Sequence, residues 1–86
     1  MTITVQRTSL AYAQAVPEAA WHAAGTARTA RGLERVYWRT YKATYPQPNA
    51  WSGHVRCVAE NGTILDYGSA YRLLDGDPER LPAKYW

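Results

Sequence analysis

The sequence predicts an α+β fold: a small single domain in which an antiparallel sheet of three to four strands packs with one main helix over about residues 17–31. Three observations carry this expectation. Asn61-Gly62 lies between two runs of strand-forming residues and predicts a hairpin over about 53–71. Pro17-Glu18 and Gly32 punctuate the two ends of a helix-length segment. Eighty-six residues of 9.7 kDa hold one hydrophobic core, so 1–86 reads as a single domain.

The first strand falls at about 2–8, where Ile3 and Val5 alternate with Thr4 and Gln6, and the same pattern resumes over about 11–15. Pro17 fixes φ for a first helical turn, and Glu18 faces the positive end of the helix dipole. Arg28 and Arg31 suit the last turn, with Gly32 as a left-handed cap. Gly25 weakens that helix by about 1 kcal/mol relative to Ala.

Residues 33–45 support two readings. Leu33, Val36, Tyr37, Thr40, Tyr41 and Thr44 recur at helical steps, with Glu34, Arg35, Arg39 and Lys42 opposite. The same stretch is rich in β-branched and aromatic residues, which favours a strand. Strand is the preferred reading, and Pro46-Gln47-Pro48-Asn49 ends it.

In the hairpin, Asn-Gly suits a two-residue type I′ turn because both central residues need positive φ. It also accounts for the Asn61-Gly62-Thr63 sequon. Counting outward pairs Ala59 with Ile64, Val58 with Leu65, Cys57 with Asp66 and Arg56 with Tyr67. One face then carries Val55, Cys57, Ala59 and Ile64, and the other His54, Arg56, Val58, Leu65 and Tyr67. Residues 74–86 read as a loop-rich acidic C-terminal tail pinned by Leu81, Tyr85 or Trp86.

The thirteen Leu, Ile and Val residues make a thin core, supplemented by four Trp and seven Tyr. Phe is absent, so every aromatic ring carries a polar group, which favours half-wet surfaces. Charge is polarised along the chain. Residues 1–59 carry seven cations against Glu18 and Glu34, whereas 60–86 carry three against five carboxylates. Eight of the ten cations are Arg, the better bidentate partner of phosphate and carboxylate.

Catalytic chemistry finds little support. Ser9, Ser52 and Ser69 lie in no nucleophile-elbow context, and there is no Gly-rich phosphate loop. His54 and Cys57, three apart on a strand, point to opposite faces, and with His22 they make an incomplete metal set. A small metal-dependent or thiol enzyme built on His22, His54 or Cys57 is therefore the weakest alternative. No catalytic residue, cofactor or metal is expected, and Cys57 reads as a small core residue. A lone cysteine suits a reducing compartment. Neither a basic-then-apolar leader nor a stretch of membrane-span length is present, so the expectation is a cytoplasmic protein with no membrane partner.

The feature that points to function is Arg28, Arg31, Arg35, Arg39 and Lys42 interleaved with Tyr37, Trp38, Tyr41 and Tyr45, extended by Arg56 and Tyr67 if these are cross-strand neighbours. Cations beside stackable rings suit single-stranded nucleic acid, and Tyr, Trp and Arg are equally the residues of protein–protein hot spots. Tyr45-Pro46-Gln47-Pro48 with Trp51 offers a further extended contact segment.

No stretch matches a family motif closely enough to carry residues across. By profile, a very short chain with no catalytic set and an aromatic, charged surface resembles the accessory proteins of phages and mobile elements. These include small inhibitors of host defence complexes such as anti-CRISPR proteins. The resemblance implies a non-enzymatic protein, in the host cytoplasm, that docks on a larger protein or nucleoprotein complex and inhibits or modulates it. Many such inhibitors are acidic DNA mimics, a mechanism this basic chain fits poorly. The alternative is direct binding of single-stranded DNA or RNA.

Overall fold

The computed structural model describes residues 1–8, 18–44 and 54–81. It is an α+β domain with a four-stranded antiparallel sheet, one main helix and a short second helix. In chain order the elements are β1 (Ile3–Thr8), a 3₁₀ turn (Glu18–Ala20), β2 (His22–Ala27), α1 (Ala30–Thr44), β3 (His54–Val58), β4 (Ile64–Leu65), α2 (Tyr67–Leu73) and a second 3₁₀ turn (Pro78–Arg80). The strand order is β2-β1-β3-β4.

Strand β1 sits at the centre because its alternation buries Ile3 and Val5 on one side. Cys57 pairs with Val5, Leu65 with Cys57, and Ala27 with Ile3, so all share that inner face. The core adds Leu33 and Tyr37 from α1, Tyr67, Ala70 and Tyr71 from α2, and Leu74 and Leu81 beyond it. Leu81 thus pins the tail as expected, while Tyr85 and Trp86 lie outside the described residues. So do the second strand pattern at 11–15 and the 45–53 segment with Tyr45, Pro46 and Trp51.

The main helix lies at Ala30–Thr44, which corrects both the helix expected over 17–31 and the strand preferred over 33–45. Of that expected helix, Glu18–Ala20 keeps a 3₁₀ turn and Ala30-Arg31 begin α1, while His22–Ala27 pairs with β1 as a strand. The reason is packing. Gly25 and Ala27, paired with the inward Val5 and Ile3, are small enough for α1 to lie close over β2, and this contact overrides local helix propensity. At Gly25 a Cβ would stand 2.8 Å from Val36 Cγ1. The register between β1 and β2 shifts after Val5, leaving Ala24 as a bulge.

Thr29 caps α1: its Oγ1 accepts from Gly32 N at 3.0 Å, and its carbonyl from Leu33 N at 2.9 Å. Gly32 is therefore in the first turn of this helix and caps no preceding one. Leu33, Tyr37, Thr40 and Thr44 form its buried stripe. The two threonines donate to carbonyls four residues back, Thr40 to Val36 at 2.8 Å and Thr44 to Thr40 at 2.9 Å, so their burial leaves the hydroxyls satisfied.

The hairpin exists, one residue out of the expected register. Val58 pairs with Ile64 and Cys57 with Leu65. Gly62 N donates to Ala59 O, and Ala59 N to Thr63 O, both at 2.9 Å, which closes a three-residue loop. Only Gly62 in it has positive φ, at 86°, the geometry of a type I turn followed by a left-handed glycine rather than type I′. The slip exchanges faces: Leu65 turns inward and Ile64 outward, 55% exposed. The second arm is also shorter than expected. Asp66 Oδ1 accepts from Ser69 N at 2.7 Å and starts α2 at Tyr67. Tyr67 and Arg56 are consequently not cross-strand neighbours, and Arg56 lies opposite Gln6 instead.

Candidate functional site

The outward side of α1 carries Arg31, Arg35, Arg39 and Lys42, all exposed, with exposed Arg28 just before the helix. At 3.6 residues per turn the four helical cations fall within an arc of about 80° opposite the buried stripe. Leu33, Tyr37, Thr40 and Thr44 bind that stripe to the sheet, so the cations cannot turn inward. Arg39 leans over β2, its Nη2 being 3.6 Å from a Cβ built on Gly25. The helix carries a single carboxylate, Glu34, which stands 3.9 Å from Arg80, both half-exposed. That pair adds little stability, yet it sets a cation beside the only negative charge of α1.

The aromatic residues of the segment divide between core and surface. Tyr37 is 9% exposed and Tyr67 3%, and their rings stack at 4.4 Å. They form the seam between α1 and α2 and are not available as a binding surface. Trp38 is half-buried, edge-on to Tyr37 at 5.2 Å and to Tyr67 at 5.3 Å, and Tyr41 is 38% exposed with its ring 5.3 Å from Trp38. These two rings therefore stand along one flank of the cationic arc, held by the seam beneath.

Arg56 lies on the sheet face opposite the helices and is engaged within the fold. Its Nε donates to Gln6 Oε1 at 2.8 Å, and Nη1 and Nη2 donate to the Glu18 carboxylate at 3.2 and 2.7 Å. Its guanidinium also covers the Trp21 ring, 4.2 Å from the centroid. This clasp fastens the turn before β2 to the back of the sheet. The bonds from Arg56 hold the Glu18 carboxyl below its ordinary value. Gln6, Glu18 and Trp21 are far apart in sequence from Arg56, and no local pattern marks them as partners.

Cys57 is fully buried, and desolvation, with a smaller contribution from the Asp66 charge, pushes its thiol up to about 12. Its place in the core agrees with the sequence reading. His22 is exposed on β2 and His54 is on β3, with β1 between them. Among the described residues, no three His, Cys, Asp or Glu side chains gather as metal ligands would. No described helix is long and apolar enough to cross a membrane.

A groove of about 340 Å³ lies at the β4 end of the sheet, lined by Met1, Ala59, Glu60, Asn61, Thr63, Leu65 and Leu73. Its one carboxylate, Glu60, accepts from Thr2 N. No protein-family model, curated protein or solved structure matches the chain.

Proposed function

We propose that this chain is a non-enzymatic binding protein that docks through the outer face of α1 on an anionic surface of a larger protein or nucleoprotein complex, and so inhibits or modulates it. The observation that carries the reading is the arc of Arg31, Arg35, Arg39 and Lys42, exposed together on a helix anchored by its opposite side. Such an arc attracts an anionic partner at long range and fixes its register at short range. Trp38 and Tyr41 beside it supply apolar contact of the kind that concentrates binding energy. The profile of phage and mobile-element accessory proteins, anti-CRISPR inhibitors among them, agrees with this mode of action.

The test compares the immobilised wild-type chain with the Arg35→Glu/Arg39→Glu variant, both checked by circular dichroism, in capture from a bacterial lysate. Both residues are exposed, so the variant keeps its core. The expected result is a defined assembly retained by the wild type, released by salt and lost with the variant. Retention of the same assembly by the variant overturns the reading.

A further inference from the structure

We infer that the anionic surface met by α1 is the backbone of a single-stranded nucleic acid, with Arg31, Arg35, Arg39 and Lys42 holding phosphates and Trp38 and Tyr41 receiving bases; this rests on the docking reading above. The inference comes from how charges and rings are ordered across the helix. Arg31, Arg35 and Arg39 recur every four residues, about 6 Å apart along the axis, and the cations span about 16 Å in all. They are mostly Arg, whose planar fork grips phosphate through two donors. Trp38 and Tyr41 occupy one flank of that row, their rings 5.3 Å apart, so the face has a charged track and an aromatic track side by side.

A single strand has the matching order, with phosphates on one side and unpaired base faces on the other. In a duplex the base faces are stacked on one another, and the aromatic flank would meet only sugar and phosphate. An acidic protein surface would match the cations and could also cover the rings, but a single strand sets a row of flat, unpaired base faces alongside its row of anions, the order of this face. Phosphates and base faces are common to DNA and RNA, so both are expected to bind.

The probes are dT and U oligonucleotides of about 15 nucleotides, a duplex of the same length, and poly-glutamate, each titrated against the full chain by tryptophan fluorescence at several salt concentrations. The expected result is quenching by both single strands, with log K falling against log salt at a slope of about −2 to −3, the value for three to four released counterions. Arg35→Gln/Arg39→Gln should lower that slope by about 1.4. Trp38→Phe should remove most of the quenching and weaken binding several-fold while leaving the slope unchanged. Arg35 and Arg39 are exposed, so the arginine variant reports on binding even if Trp38→Phe perturbs the aromatic seam.

Tighter binding of the duplex, or equal binding of poly-glutamate, overturns the assignment of a single strand. Absence of binding to any nucleic acid at low salt overturns the inference alone if the lysate assembly is still captured after nuclease treatment and still lost with Arg35→Glu/Arg39→Glu. If that capture fails as well, the docking reading falls with it.

Discussion

The backbone of Gly76 lies against the ring of Tyr71 so closely that a Cβ at position 76 would stand 2.2 Å from Tyr71 Cε1 and 2.7 Å from its carbonyl oxygen. The contact follows from how α2 ends. Gly76 N donates to Tyr71 O and Asp75 N to Arg72 O, both at 3.0 Å, the paired bonds of a Schellman cap. In that motif the glycine usually takes the left-handed position, but here Asp75 does, with φ at 59°. The glycine is needed one residue later, where a fully packed ring, 2% exposed, leaves no room for a side chain.

Two substitutions at this cap should therefore move stability in opposite directions. Gly76→Ala has to displace the Tyr71 ring from the core and should cost about 2 kcal/mol or more. Asp75→Gly relieves the left-handed conformation of an exposed residue and should be neutral or stabilising by up to about 0.5 kcal/mol. Urea denaturation at unchanged m reads both; a Gly76→Ala variant as stable as wild type would mean that the ring has another place to go.

Gly25 and Val36 should be energetically coupled. A methyl group at 25 meets Val36 Cγ1 at 2.8 Å, and Val is stiff at χ1, so α1 has to lift from β2. Gly25→Ala alone should destabilise by about 1–2 kcal/mol, and Val36→Ala alone by about 1 kcal/mol through lost packing. The double variant should be more stable than the sum of the two losses by about 1 kcal/mol, measured as a double-mutant cycle. Simple additivity would show that the helix does not rest on this contact.

The Arg56 clasp should make the turn before β2 sensitive to acid. The folded pKa of Glu18 is depressed by the hydrogen bonds from Arg56. Its contribution is thus complete above the unfolded value of 4.5 and disappears as pH falls through the lower folded value. Titration of the Glu18 carboxyl by NMR should give a midpoint below 4.5, returning to the ordinary range in Arg56→Ala. In the same variant the loss of the cation over Trp21 and of the bond to Gln6 should cost about 1–2 kcal/mol. A Glu18 midpoint unchanged by the substitution would mean that the clasp does not form in solution.

What was legible in the sequence is what depends on short-range pattern. Ile3 and Val5 announce an inward strand face by alternation, Asn61-Gly62 announces a hairpin, and Cys57 reads as a small core residue of its strand, although the register expected for the hairpin paired it with Asp66 and the structure pairs it with Leu65. The errors arise where distant contacts decide. Residues 22–27, small and poor in strand formers, become a strand because α1 needs a thin surface beneath Val36. Residues 33–44, rich in strand formers, become a helix because Leu33, Tyr37, Thr40 and Thr44 reach one core, and the helical spacing that showed it competed with propensity. The cationic row was readable from spacing once the helix was granted. That Tyr37 and Tyr67 stack on each other in the interior, and that Arg56 closes on Glu18 and Trp21, depends on tertiary approach that no local motif encodes.

Cys57 provides the sharpest alkaline prediction. Its thiol faces the core between Val5 and Leu65 and is fully buried, with its pKa raised from 9.0 to about 12. Between these values the unfolded chain gives up the thiol proton while the folded chain keeps it, so the unfolded state binds fewer protons and stability falls as pH rises. For this one group the slope approaches about 1.4 kcal/mol per pH unit. Tyrosines and lysines titrate in the same range, so the measurement is the difference between wild type and Cys57→Ala. The variant should be less stable at pH 7 by about 1 kcal/mol for the lost packing, and this deficit should shrink and reverse as pH passes from 9 towards 11. At pH 8 a thiol reagent should label the native protein only as fast as the core opens, and label the urea-unfolded chain at once. Rapid labelling of the folded protein, or a deficit independent of pH, would remove Cys57 from the closed interior.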